Sequence, residues 1–138
     1  MSQFVSTRYT ASAVNGALLL LRLGVAILMI PHGYQKLSNF ETMQTQFVSF
    51  LGMSPKASLI LAMSAELGCS FLLLIGLFTR LATIPLIITM LTALFLAHDG
   101  SIFGEGGTSV LFLLIYTAIL LIGPGAYSVD TKLDKRRF

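Results

Sequence analysis

Long apolar runs alternate with short polar connections along the chain. The pattern predicts four helices over about 13–33, 55–78, 81–97 and 109–123, of roughly the ~20-residue length that crosses a bilayer. Ser54-Pro55 opens the second run, serine as a cap and proline in the first helical turn. Thr79 and Arg80 leave so short a turn that the second and third helices must be antiparallel neighbours. Pro31 and Pro85 fall inside helical runs, and Pro31 is expected to loosen the end of the first. Gly123-Pro124-Gly125 stops the fourth. Between the first two runs, Phe40, Met43, Phe47, Phe50 and Leu51 recur at helical spacing opposite Glu41, Thr42, Gln44, Thr45 and Ser49. That stretch reads as a short amphipathic helix in the interface or as a helix capping the end of the bundle.

Composition turns this pattern into a membrane assignment. Of 138 residues, 55% are hydrophobic and only 11% charged, against roughly a quarter charged in soluble domains. The expectation is an all-α integral membrane four-helix bundle occupying residues 1–138 as a single domain, with lipids as its surroundings. Arg8 followed by the first apolar run resembles a signal peptide, but Pro31-His32-Gly33 offers no small-x-small cleavage site, so the run is kept as a mature helix. Arg8, Arg80, Lys132, Lys135, Arg136 and Arg137 fall on the side of the termini, against Lys36 and Lys56 on the other. This asymmetry places both termini in the cytoplasm of a bacterial-type inner membrane. The basic tail reads as a topology signal that also touches anionic headgroups; nothing else supports nucleic-acid binding. Cys69 is the single cysteine, which excludes a two-thiol redox centre within one chain. Small residues such as Gly16, Gly24, Ala62, Ser64, Gly68 and Ser70 within the runs favour close helix packing.

The candidate chemistry lies in the few polar residues of the apolar runs. Counting ~1.5 Å per residue from the predicted helix ends puts Arg22 and Glu66 at similar depth on antiparallel neighbours. An isolated charge there costs about 2.5–3.5 kcal/mol on insertion scales, so the reading is an ion pair between them. Such a pair is either a clasp fixing helix register or a polar centre holding a ligand head, with Tyr116 on the fourth helix as a hydrogen-bonding neighbour or an ordinary packed ring. A second group gathers at the opposite ends of the spans from the termini: His32 and Lys36, His98 and Asp99, and Glu105. Histidine beside carboxylate takes and gives protons near neutral pH, as quinone chemistry requires. The bland reading is that these are interfacial polar residues beside water. Their spacing matches no metal motif, and Gly104-Glu105-Gly106-Gly107 lacks the lysine of a phosphate loop.

Taken in order, these residues resemble the DoxX family of small four-span membrane proteins. The resemblance rests on Arg22, His32-Gly33-x-x-Lys36-Leu37, Glu66-x-Gly68, Gly76-x-x-Thr79-Arg80, Gly104-Glu105-Gly106 and Gly123-Pro124-Gly125-x-x-Ser128-x-Asp130. The chain departs from the family pattern at Cys69, where a second glycine often follows, and at Thr108 and Val110, where an acidic residue and a histidine often follow. The family takes its name from a resemblance to a membrane subunit of a thiosulfate:quinone oxidoreductase, and some members are associated with redox-stress complexes. The resemblance therefore implies a membrane subunit of a quinone-linked oxidoreductase or redox-stress system, acting with a partner redox enzyme. In that reading Glu66 and His98 are the catalytic candidates. Arg22, His32, Lys36, Asp99, Glu105 and Tyr116 are the ligand-binding ones, for a quinone or another small lipophilic ligand. The competing expectation is a non-catalytic scaffold or assembly factor in which the charged pair is structural. A chain this small also suits a homo-oligomer.

Overall fold

A computed structural model describes residues 5–45, 47, 49, 51–97 and 106–137, and every regular element among them is helical. Helix α1 spans Ala11–Ser38, α2 is the single turn Phe40–Met43, and α3 runs through Pro55–Ile75. Helix α4 covers Thr79–Thr92 and continues as a π-helical turn over Ala93–Ala97. Helices α5 and α6 are Gly107–Ile122 and Val129–Arg137. α1 and α3 are long and apolar enough to cross a membrane; α4 and α5 are shorter apolar helices.

The helix ends follow from identifiable side chains. Thr10 accepts from the Ala13 amide at the start of α1, and Ser54 accepts from the Ala57 amide at the start of α3. Pro31 does not end α1. The helix continues to Ser38, so Lys36 is a helical residue and not part of the connection that follows. Of the 34–56 stretch, the described residues contain the end of α1 and the one turn of α2.

α3 ends earlier than the sequence pattern implies. Gly76 takes φ +76°, and the amides of Gly76 and Leu77 return to the carbonyls of Leu73 and Leu72, which is a Schellman close of the helix. Thr79 and Arg80 are therefore the first residues of α4 and not the turn itself. α3 is also interrupted at its centre, where Ala65–Cys69 forms a π-helical turn. Such a bulge shifts the face presented by the residues beyond it and is frequent at functional positions.

α1, α3, α4 and α5 share one core, in which Val25, Ala26 and Met29 meet Leu73, Leu86, Met90, Phe112, Tyr116 and Ile119. The distribution of polarity is the reverse of that in water. Arg22, Glu66, Ser70 and Thr83 are buried, whereas Leu20, Ile27, Phe71, Leu81, Phe95, Leu114 and Leu121 are exposed. Apolar side chains on the outside of every long helix suit a hydrocarbon solvent.

At one end the turns between helices interlock. Asp130 accepts from the amides of Phe78 (2.7 Å) and Thr79 (2.8 Å), two unsatisfied donors at the start of α4, and its own amide donates to the Gly76 carbonyl at 2.9 Å. Ser128 caps α6 by accepting from Thr131 N, and Asn15 accepts from Ala126 N. Asp130→Ala is expected to lower stability by about 1–2 kcal/mol, the usual value of a lost cap. Thermal unfolding in detergent would register this, with Asp130→Asn keeping part of the stability because its amide oxygen still accepts.

Candidate functional site

Arg22 and Glu66 do not pair. Arg22, 1% exposed, donates from Nε to the Leu73 carbonyl (2.9 Å), from Nη1 to those of Pro124 and Tyr127 (both 2.9 Å), and from Nη2 to that of Leu74 (3.4 Å). Leu73 and Leu74 lie in the last turn of α3, whose carbonyls have spare acceptor capacity and carry the negative end of the helix dipole. The guanidinium fork thus ties α1 to the end of α3 and to the Gly-Pro-Gly loop. Asp130 adds a favourable charge at longer range.

The expected pairing fails because of helix register. Gly33 is the residue of α1 that meets Glu66: a Cβ built there would lie 3.1 Å from Glu66 Cβ and 2.7 Å from Leu67 Cγ. At Gly76, a Cβ would lie 3.0 Å from the Arg22 guanidinium. In this antiparallel pair, 33 is level with 66 and 22 with the end of α3. The eleven residues from 22 to 33 are ~16 Å of helix, beyond the reach of one ion pair.

Glu66 pairs instead with Lys36. Lys36 Nζ lies 2.9 Å from Oε1 and 2.8 Å from Oε2. Side chains on a helix lean toward its N-terminus, so on antiparallel helices these two lean toward each other across the one turn between Gly33 and Lys36. The absent side chain at Gly33 brings the backbones close enough for them to meet. Glu66 is 3% exposed and sits on the π-helical turn of α3.

The pair forms part of the wall of a cavity of about 440 Å³, within the range of small-molecule sites. α3 contributes Ser58, Leu61, Ala62 and Ala65, α4 contributes Pro85, Ile88, Thr89, Thr92 and Ala93, and Met43 and Phe47 complete it. Both π-helical turns, Ala65–Cys69 and Ala93–Ala97, border the cavity, as does Pro85, where α4 lacks an amide donor. The sequence pattern gives no sign of the π turns, because one extra residue per turn barely alters an almost uniformly apolar run.

The other sequence-predicted residues distribute as follows. Tyr116 is fully buried, stacks on Phe112 with ring centroids 6.0 Å apart, and lies beside Ser70 within electrostatic reach of Glu66. Its hydroxyl has no hydrogen bond of good geometry among the described residues. His32 is exposed and meets the edge of Phe112 at 6.1 Å, and it is not part of the cavity wall. His98, Asp99 and Glu105 lie outside the described residues.

Buried ionic groups, an apolar exterior and a cavity between long helices define a helical membrane protein. The chain belongs to the DoxX family, whose model matches residues 17–99. It is 36% identical over 125 residues to the inner membrane protein YqjF of Escherichia coli (strain K12), covering 86% of this chain and 92% of that one. It is 30% identical over 132 residues to the uncharacterized membrane protein Rv3486 of Mycobacterium tuberculosis, covering 84% of this chain and 80% of the relative. An uncharacterized protein of Haemophilus influenzae is 32% identical over 123 residues, covering 84% and 90%. No solved structure matches the chain significantly.

Proposed function

We propose that the protein is a membrane subunit of a quinone-linked oxidoreductase or redox-stress system, holding a quinone or similar lipophilic ligand in the cavity beside Lys36 and Glu66. The observation that carries this reading is an apolar cavity whose wall contains one buried ion pair. An apolar chamber with few oriented polar groups is the general form of a small-molecule site. Lys36 donates to a ring oxygen and Glu66, with His98, exchanges protons, while electrons come from a partner redox enzyme. Four crossings with both termini in the cytoplasm complete the reading. They put the Arg22 end, with Arg80 and the basic tail, inside, and Lys36 toward the opposite face.

Decylubiquinone binding to lipid-stripped protein in nanodiscs tests the proposal. Binding is expected, weakened at least tenfold by Glu66→Gln or Lys36→Met, about 1.4 kcal/mol. No binding to the unaltered protein would refute it.

The scaffold reading draws on a different observation, the full engagement of Arg22 with backbone carbonyls, which makes that residue structural. It would be favoured if Glu66→Gln left cellular quinone-linked activity intact while a partner enzyme was lost along with this protein.

A further inference from the structure

The cavity also carries information about the charge of its ligand and the way in. α4 packs against the Ala65–Cys69 and Ser70–Ile75 parts of α3 and only sparsely against Pro55–Ser64. The two helices therefore separate toward the start of α3, and small side chains at Ala62, Ala65 and Ala93 leave the gap unfilled. Leu61 and Ile88 line this space and are also 52% and 44% exposed. The cavity thus reaches the lipid-facing side of the molecule between α3 and α4.

At its inner wall the charges cancel. Lys36 directs its ammonium group at both oxygens of Glu66 and has one further proton to give, while Glu66 Oε2, buried, receives no hydrogen bond of good geometry among the described residues. The pair offers one donor and one acceptor with no net charge. On the opposite wall Thr89 and Thr92 donate their hydroxyl protons to the Pro85 and Ile88 carbonyls of their own helix, so they present neutral acceptor oxygens and no free donor. Among the described residues of this wall, an ionised head finds no countercharge that is not already engaged, so its desolvation stands uncompensated there. A neutral hydroxyl does better, because it donates to Glu66 and accepts from Lys36, and a carbonyl accepts from Lys36.

We propose that the cavity admits uncharged hydroxyl- or carbonyl-headed lipophiles sideways from the bilayer between α3 and α4, and rejects amphiphiles with ionised heads. This rests on the ligand-binding reading above and specifies the class and route of the ligand.

The test uses the full chain in phosphatidylcholine nanodiscs and three diazirine-tagged probes of equal chain length: a primary alcohol, an alkyl sulfate and an alkyl trimethylammonium. After photolysis, mass spectrometry locates the adducts. The alcohol is expected to label the Leu61 and Ile88 region saturably, with at least tenfold less labelling there by either ion. Glu66→Gln, which leaves the Lys36 charge, should shift labelling toward the sulfate, and Lys36→Met toward the ammonium. Ala62→Trp, which narrows the opening, should suppress labelling by the alcohol.

Equal labelling by all three probes, or labelling insensitive to Ala62→Trp, would overturn the inference. Alcohol labelling that decylubiquinone does not displace supports the inference and counts against the quinone reading. Decylubiquinone binding without alcohol labelling does the reverse.

Discussion

Arg22→Leu is expected to lose most of the folded protein from the membrane. The guanidinium makes four hydrogen bonds to carbonyls of α3 and the Gly-Pro-Gly loop. Leucine leaves the Leu74, Pro124 and Tyr127 carbonyls without the guanidinium, at about 1–3 kcal/mol for each one that stays buried, and leaves Leu73 only the Gly76 amide. Against a typical total stability of about 5–15 kcal/mol, even partial relaxation leaves a severe deficit. Arg22→Lys should recover only part of it, because a single ammonium cannot span carbonyls that the planar fork reaches in different directions. Membrane abundance and thermal unfolding in mild detergent should rank the three proteins Arg, Lys, Leu in falling order.

The second large effect is asymmetric. Lys36→Met strands a Glu66 side chain that is 4% exposed, whereas Glu66→Leu strands a Lys36 side chain that is 18% exposed. Lysine has a flexible stem and can carry its charge toward the interface; the carboxylate has no such route. Breaking a buried pair costs about 3–5 kcal/mol. Lys36→Met should approach the lower part of that range, and Glu66→Leu should cost about 1 kcal/mol, as befits a partly exposed partner. The double variant should be more stable than Lys36→Met alone. Equilibrium unfolding of all four proteins checks both the order and the coupling.

How far these residues were legible in the sequence depends on the kind of information each required. Apolar runs locate the helices because lipid demands them, and the chemistry-bearing residues stand out because charges inside such runs are rare. Their pairing was not legible. Depth counted from the predicted ends made Arg22 and Glu66 level, but α1 runs past Pro31 to Ser38 and α3 closes at Gly76. With the ends opposite the termini matched, the five extra residues of α1 carry the residue level with Arg22 along α3 toward Gly76, and the early close of α3 adds nothing to that shift. The Schellman close was readable in principle, since a glycine after an apolar run is its usual mark. Likewise Ser128, three residues before Thr131, signals the cap of α6, whose charged composition carries no apolar pattern to mark it as a helix. The π turn under Glu66 left no such mark.

Within the family motifs, structure separates two roles. Arg22, Gly76, Thr79, Gly123-Pro124-Gly125, Ser128 and Asp130 converge on one interlocked end through backbone hydrogen bonds and close approach. Gly33, Lys36 and Glu66 form the other group, at the cavity. The functional reading belongs to the second group alone.

The most direct measurement is the partner of the Glu66 carboxylate in lipid. Solid-state NMR on protein carrying 13C-carboxyl glutamate with 15N in either lysine or arginine side chains reports which nitrogen lies beside it. The account requires strong dephasing by a lysine nitrogen that disappears in Lys36→Met. A carboxyl dephased by guanidinium nitrogen, unchanged in Lys36→Met and lost in Arg22→Lys, would contradict it.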